Sequence, residues 1–158
     1  MPTSSRFVVA VHLLTLLETE GGRPATSEYI ASSVNTNPGV IRRLMSLLAR
    51  AGLTTSQLGA GGGALLAKPA AQIRLVDVYR AVEWGDVFAL HHSPPNPHCP
   101  VGRNIQAALA TVLRRAEHAL EGELAEVTLA DVVQSVSARA RRPKGVLLGR
   151  PAGNLSRR

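Results

Sequence analysis

Apolar residues recur at helical spacing along most of this chain. Phe7, Ala10, Val11, Leu14 and Leu17 fall three or four positions apart, and Val8, Leu13 and Leu16 fill the gaps. This predicts a first helix, from a cap at Ser4 or Ser5 to about Thr19, that is apolar nearly all round. Such a helix needs cover on several sides, some of which a second subunit could supply. Gly21-Gly22-Arg23-Pro24 ends it. A short second helix is predicted over 28–34, capped by Thr26 or Ser27, with Ile30, Ala31 and Val34 inward. Asn35-Thr36 makes a turn. Asn37 then caps a third helix over 37–51, with Pro38 at its first position, where a missing N–H costs nothing. Val40, Ile41, Leu44, Leu47, Leu48 and Ala51 form its expected buried stripe. Arg42, Arg43, Ser46, Ala49 and Arg50 lie on its other faces, and Gly52 stops it.

Beyond Gly52 the period changes. Residues 53–57 and 64–67 read as two short strands around Gly59-Ala60-Gly61-Gly62-Gly63, and Pro69 ends the hairpin. Residues 73–83 form a fourth helix, or a short strand followed by one, with Leu75, Val76, Val78, Tyr79 and Val82 on the core side. The prolines and glycines of 85–102 predict a loop. A long helix over about 103–124 follows. Ile105, Leu109, Val112, Leu113, Ala116, Leu120 and Leu124 give it a near-heptad seam. A seam on so long a helix needs a partner, and a second copy of the chain is the natural one. Thr128 caps a final helix from 129 to about 137. From Arg139 a Pro/Gly-interrupted basic tail is expected to be disordered.

The expected fold is therefore mainly α with a small β-hairpin wing. It divides into a winged helix-turn-helix DNA-binding domain (1–84), a sensor or linker loop (85–102), dimerisation helices (103–138) and the tail (139–158). Helix, tight turn, helix and glycine-rich hairpin is the order in which a winged helix-turn-helix offers one helix to a DNA major groove.

Composition supports a helical core. Hydrophobic residues make up 45% of the 158, but aromatics only 3%, so the core is aliphatic. The net charge of +7 is unevenly distributed. Residues 1–82 hold eight Lys/Arg against four Asp/Glu, 83–138 hold three against seven, and 139–158 hold seven against none. The basic lobe coincides with the helix-turn-helix, where phosphates would sit, and the tail could add sequence-independent affinity. The single cysteine, Cys99, excludes an intramolecular disulfide. The apolar run over 7–17 is interrupted by His12 and Thr15 and followed by Glu18 and Glu20. It reads as a buried helix of a cytoplasmic protein rather than a signal or membrane segment.

Several stretches resemble a known family. They are Ser4-Ser5-Arg6-Phe7, Thr36-Asn37-Pro38 with Ile41-Arg42-Arg43-Leu44, Ala51-Gly52-Leu53, the glycine run with Leu66-Ala67-Lys68-Pro69, Asp77 through Glu83, and Asn96 through Gly102. Together, over roughly 4–136, they resemble the Rrf2 family of bacterial winged helix-turn-helix regulators (the group of IscR, NsrR and CymR), nearest to its YwnA-like branch. The resemblance implies a homodimer on palindromic promoter DNA, usually a repressor, with a long helix making the dimer. By position, the family's base-reading residues fall on Asn37, Gly39, Val40, Arg42 and Arg43, and the winged-helix reading adds Thr36, Pro38, Arg50 and, from the wing, Gly61 and Gly62 as DNA contacts. Two features depart from the family. The wing has Gln57 and Leu58 where an arginine is usual, and Ala64 where an aromatic follows the glycines. Cys99 stands alone where iron–sulfur members carry three cysteines, so no iron–sulfur cluster or other cofactor is expected.

The remaining candidate chemistry is sparse. Gly59 to Ala64 formally fits a dinucleotide fingerprint, but that needs a helix starting in the loop, and Pro69 follows too soon. Cys99 and His98, with His91 and His92 nearby, could form a redox or metal sensor, or Cys99 could simply pack as a small apolar residue. Arg6, Arg50 and Lys68 are phosphate contacts or plain surface. Glu117, Glu121, Glu123 and Glu126 read as the wet face of the long helix. No catalytic constellation is present, so the expected partners are double-stranded DNA, a second copy and a small-molecule or redox effector, without a membrane. Alternatives are a regulator dependent on Cys99, or a basic protein that binds nucleic acid without sequence preference.

Overall fold

The computed structural model describes residues 5–85, 87–88 and 90–141. Residues 139–140, expected to open the disordered tail, instead continue the final helix, and the tail from residue 142 on lies outside the described residues, as does Ser4. The elements run α1 (Arg6–Thr19), α2 (Ser27–Val34), α3 (Pro38–Arg50), β1 (Thr54–Gln57), β2 (Gly63–Leu66), a 3₁₀ turn (Ala70–Gln72), α4 (Leu75–Val82), α5 (Pro100–Glu126) and α6 (Leu129–Ala140). The architecture is helical with one two-stranded antiparallel hairpin, as the hydrophobic pattern predicts.

α1 is the centre of the core. Ala10, Leu13, Leu14 and Leu17 are buried on it, and Phe7, Val9, Val11 and Leu16 are half-buried. Cover comes from within the chain, since α2, α3, α4, α6 and β2 all pack on it. Thr15 is tolerated inside because its hydroxyl donates to the Val11 carbonyl at 2.8 Å. The start of α1 differs from expectation. Ser5 occupies the cap position, but its side chain makes no capping bond. Instead Glu83 reaches across from the end of α4, and its carboxylate accepts the Phe7 N–H at 3.1 Å and pairs with Arg6 at 3.0 Å. A carboxylate there also meets the positive end of the helix dipole.

The hairpin pairs Thr54 with Leu66 through to Gln57 with Gly63. A third segment joins it at one point, where Ala25 and Ala64 exchange backbone hydrogen bonds of 3.0 and 2.8 Å. Gly63 permits this approach, because a Cβ there would run into the Ala25 backbone. Residues 73–83 resolve as an extended Ile73-Arg74 leading into α4, and Arg74 bridges Thr128. That bridge carries α6 back to the first unit. Leu75 N–H donates to Val127 O and Leu129 N–H to Ile73 O, and Leu129 is fully buried. α6 thus packs on α1 rather than lying with α5.

α5 begins earlier than expected. Pro100 starts it, so residues 100–102 belong to the helix and not to the loop. Proline is well suited to that first turn, and Gly102 inside it leaves room for the Asn96 carbonyl. The 27-residue helix is roughly 40 Å long at 1.5 Å per residue. Its C-terminal part docks on α4, where Arg80 pairs with Glu121 at 2.6 Å.

Asp131 completes a capping box with Thr128, whose hydroxyl and N–H both donate to the carboxylate. Those two bonds hold the Asp131 carboxyl below its ordinary pKa. The stabilisation it gives is therefore present above the ordinary value and is lost as pH falls through the lowered one. Asp131→Asn is expected to lower the melting temperature at pH 7. That deficit should disappear in acid, where wild type and variant both carry a neutral side chain; thermal denaturation across pH checks both points.

Candidate nucleic-acid interface

The helix-turn-helix is built by local hydrogen bonds. Thr26 caps α2 by accepting the Tyr29 N–H at 3.2 Å. α2 closes with Asn35 in the left-handed region, φ 59°, and Thr36 N–H donates to Ala31 O at 3.0 Å. Thr36 and Pro38 are half-buried in this turn. Asn37 then caps α3, its side-chain oxygen accepting the Gly39 N–H at 2.7 Å. That oxygen is thus engaged in the fold, which leaves the carboxamide NH₂ as the group of Asn37 suited to an outside acceptor. α3 ends in a Schellman turn, with Gly52 at φ +69° and bonds from Gly52 N–H to Ala49 O and Leu53 N–H to Leu48 O.

Ile41, Leu44, Leu47 and Leu48 turn inward on α3. Two residues expected in that stripe do not. Ala51 is exposed where the helix runs out into the Gly52 turn, and Val40 is 46% exposed at the helix start. An exposed Val40 suits apolar contact with a thymine methyl better than a core role. Gly39, Arg42, Arg43, Ser46 and Arg50 are all exposed and, at helical spacing, share one face of α3.

The two central arginines are held differently. Arg42 pairs with Glu28 of α2 at 3.0 Å, and its guanidinium also donates to Ser27 Oγ at 3.3 Å. The Glu28 carboxyl is lowered in pKa by its own backbone N–H and the Ser27 hydroxyl, and after these by Arg42. Both members of the pair are well exposed, so the tether is weak and open to competition from phosphate or a base. Among the described residues Arg43 bears no such pair. Its guanidinium carbon lies over the indole of Trp84, 5.8 Å from the ring centroid. Arg6 lies over the same indole at 4.6 Å, which places Arg6 in a Glu83–Trp84 cluster and not on a plain surface.

The wing is shaped by its glycines. Gly59 and Gly61 have φ of +94° and +75°, and the Gly62 N–H donates to Gly59 O at 3.0 Å. Gly62 keeps this turn compact, since a Cβ there would overlap the Gln57 and Gly59 carbonyls. A strand, not a helix, follows these glycines, which rules out the dinucleotide loop. Leu58 stands 91% exposed at the tip.

The other candidate residues sit away from this face. Cys99 is half-buried at the head of α5, and the N–H groups of Gly102 and Val101 hold its thiol below the usual cysteine range. The His98 N–H is taken by the Asn96 side chain at 2.9 Å. The expected seam of α5 is uncovered or only partly covered: Leu109, Val112, Ala116 and Leu120 are exposed, and Ile105 and Leu113 are half-buried. Leu113 and Leu120 also line shallow clefts between α5 and the loop, beside Phe88 and Leu90 and beside Val87.

Against known sequences, residues 3–135 match the Rrf2 family, described as "Iron-dependent Transcriptional regulator". The chain belongs to the Rrf2 family. Within it, the chain is 46% identical over 131 residues to the Bacillus subtilis protein described as "Putative HTH-type transcriptional regulator YwnA", covering 82% of this chain and 96% of that one. A crystal structure described as "a putative DNA binding protein" superposes with a TM-score of 0.66 at 45% identity, covering 81% of this chain and 98% of that one. IscR of T. potens shares the fold at a TM-score of 0.67 and 22% identity, covering 92% and 94%. This Rrf2 protein is thus a DNA-binding transcriptional regulator, and its relatives are regulators rather than enzymes. The iron of the family description does not fit its donors. A cysteine-held cluster needs several thiolates, this chain has one cysteine, and among the described residues no three His, Cys, Asp or Glu converge on a metal position.

Trp84 was not legible as part of this surface. Its only signal in the sequence was that it is the sole tryptophan, directly after the predicted fourth helix. Glu28 was equally silent, being an ordinary helix-start acid. Glu28→Gln is expected to release Arg42 and to remove a negative charge beside it. DNA affinity should rise about two- to fivefold, the range of a weak surface pair, as measured by fluorescence anisotropy at fixed salt.

Proposed function

We propose that this Rrf2 protein is a cytoplasmic homodimeric repressor that binds an inverted-repeat promoter site. The observation that carries the reading is the exposed face of α3 with Gly39, Arg42, Arg43, Ser46 and Arg50, presented by a helix whose opposite face is buried. Arg42 and Arg43 read guanine edges, Val40 meets a thymine methyl, and the Asn37 carboxamide adds a polar contact. Arg50, the start of α3 at Thr36 and Pro38, and the Gly61–Gly62 tip lie against phosphates and set the register. Two copies join through the α5 seam of Ile105, Leu109, Val112, Leu113, Ala116 and Leu120. Burial of each large aliphatic there would stabilise the pair by roughly 1.5–3 kcal/mol. A signal at the loop before α5 alters the spacing of the two recognition helices. No iron–sulfur cluster takes part.

Selection of bound duplexes from a random pool by the purified protein tests this directly. An inverted repeat with half-sites about one helical turn apart is the expected product. Arg42→Ala and Arg43→Ala should each cost about 1–3 kcal/mol of discrimination at one base pair. Recovery of DNA without a common sequence would overturn the reading in favour of a non-specific basic protein.

A second reading is supported by the backbone amides at Cys99. A thiolate there attacks an oxygen of hydrogen peroxide, the O–O bond breaks, a sulfenic acid forms, and the departing hydroxide takes a proton from solvent to give water. Cys99→Ser is expected to keep DNA binding and to lose its release by hydrogen peroxide. If both proteins respond alike, Cys99 is a packing residue. The same preparation, purified without oxygen, should contain no stoichiometric iron.

A further inference from the structure

We propose that Trp84 is a positioning residue for DNA recognition, holding Arg43 for base readout on a surface that uses none of its N–H donors. The inference rests on the reading of α3 as the recognition helix. It starts from the contrast between the two arginines. Arg42 donates to a carboxylate and a hydroxyl, so those bonds must be exchanged for bonds to DNA. Arg43 lies over the π face of Trp84. Such a contact is made through the electron-rich face of the ring, within about 6 Å of its centroid. The indole face offers no oxygen acceptor, so the guanidinium N–H groups stay available for a bidentate bond to guanine O6 and N7. A long side chain restrained before binding loses less freedom on binding.

The indole is itself well anchored. Trp84 follows Glu83, which is fixed by the Phe7 N–H and by Arg6. Arg6 lies over the ring at 4.6 Å. After Trp84 the chain turns at Gly85, φ +86°, and the Val87 N–H donates to Glu117 of α5 at 3.2 Å. A half-exposed tryptophan, 53% accessible, is thus held from both sides without being part of the core. Its exposure has no packing explanation, whereas a platform beside a DNA-facing arginine needs it.

The test compares full-length wild type, Trp84→Ala, Trp84→Phe, Arg43→Ala and the Trp84→Ala/Arg43→Ala double variant. Affinity is measured on the selected site and on single-base variants of it. Trp84→Ala should lose about two- to fivefold in affinity, the size of an exposed cation–π contact. The loss should fall at the base pair that Arg43→Ala also relaxes, and the double variant should be no worse than Arg43→Ala. Trp84→Phe should recover part of it. Because Trp84 is the sole tryptophan, its emission in free protein should change in Arg43→Ala, which checks the contact without DNA. An unchanged base preference in Trp84→Ala overturns the proposal. So does a uniform loss on every sequence that adds to that of Arg43→Ala, which would mark a structural role. If wild type selects no sequence, the recognition reading fails first and the proposal falls with it, whatever the emission shows.

Discussion

The constraint on which this molecule depends is that α1 is apolar on nearly every side. An amphipathic helix can rest against one neighbour, but a helix with Leu13, Leu14 and Leu17 inward and Phe7, Val9, Val11 and Leu16 around them needs a ring of cover. α2, α3, α4, α6 and β2 provide that ring. Each contributes its own apolar side and must therefore turn its polar side outward. The arginine face of α3 is outward for this reason, and its direction is fixed by the core rather than by any contact at the surface.

The same cover explains how distant parts of the chain meet at the interface. α4 packs on α1, which brings Glu83 to the head of α1. The carboxylate satisfies an N–H that the first turn of a helix leaves open, and it pairs with Arg6. Trp84 is carried along with Glu83 into reach of Arg6 and Arg43. α5 is tied to the same region through Arg80–Glu121 and through Val87 to Glu117. The loop and α5 are thus linked by short contacts to the indole that Arg43 lies over.

Charge supports this arrangement without defining it. Four of the acidic residues of 83–138, Glu117, Glu121, Glu123 and Glu126, lie on α5, whereas α3 carries Arg42, Arg43 and Arg50 and no acidic residue. Long-range attraction to DNA follows from the basic lobe and is screened by salt. The two central arginines of α3 are held by different chemistry, Arg42 by a carboxylate and Arg43 by an indole.

The sequence by itself determined the elements whose causes are local. The Thr26 and Asn37 caps, Pro38 at a first turn, the Asn35-Thr36 turn, the Gly52 stop and the glycine-rich hairpin each act within a few residues, so their signals survive without the fold. The aliphatic periodicity set the helices and most of their inward faces for the same reason. The tertiary structure decided what rests on contacts between residues far apart in the chain. It replaced Ser5 by Glu83 as the cap of α1, exposed Val40, buried Leu129 through the Arg74–Thr128 bridge, tethered Arg42 to Glu28 and placed Trp84 beneath Arg43. None of these is a matter of spacing along the chain. Each depends on which surfaces the ring around α1 brings together, and that packing is a property of the whole core.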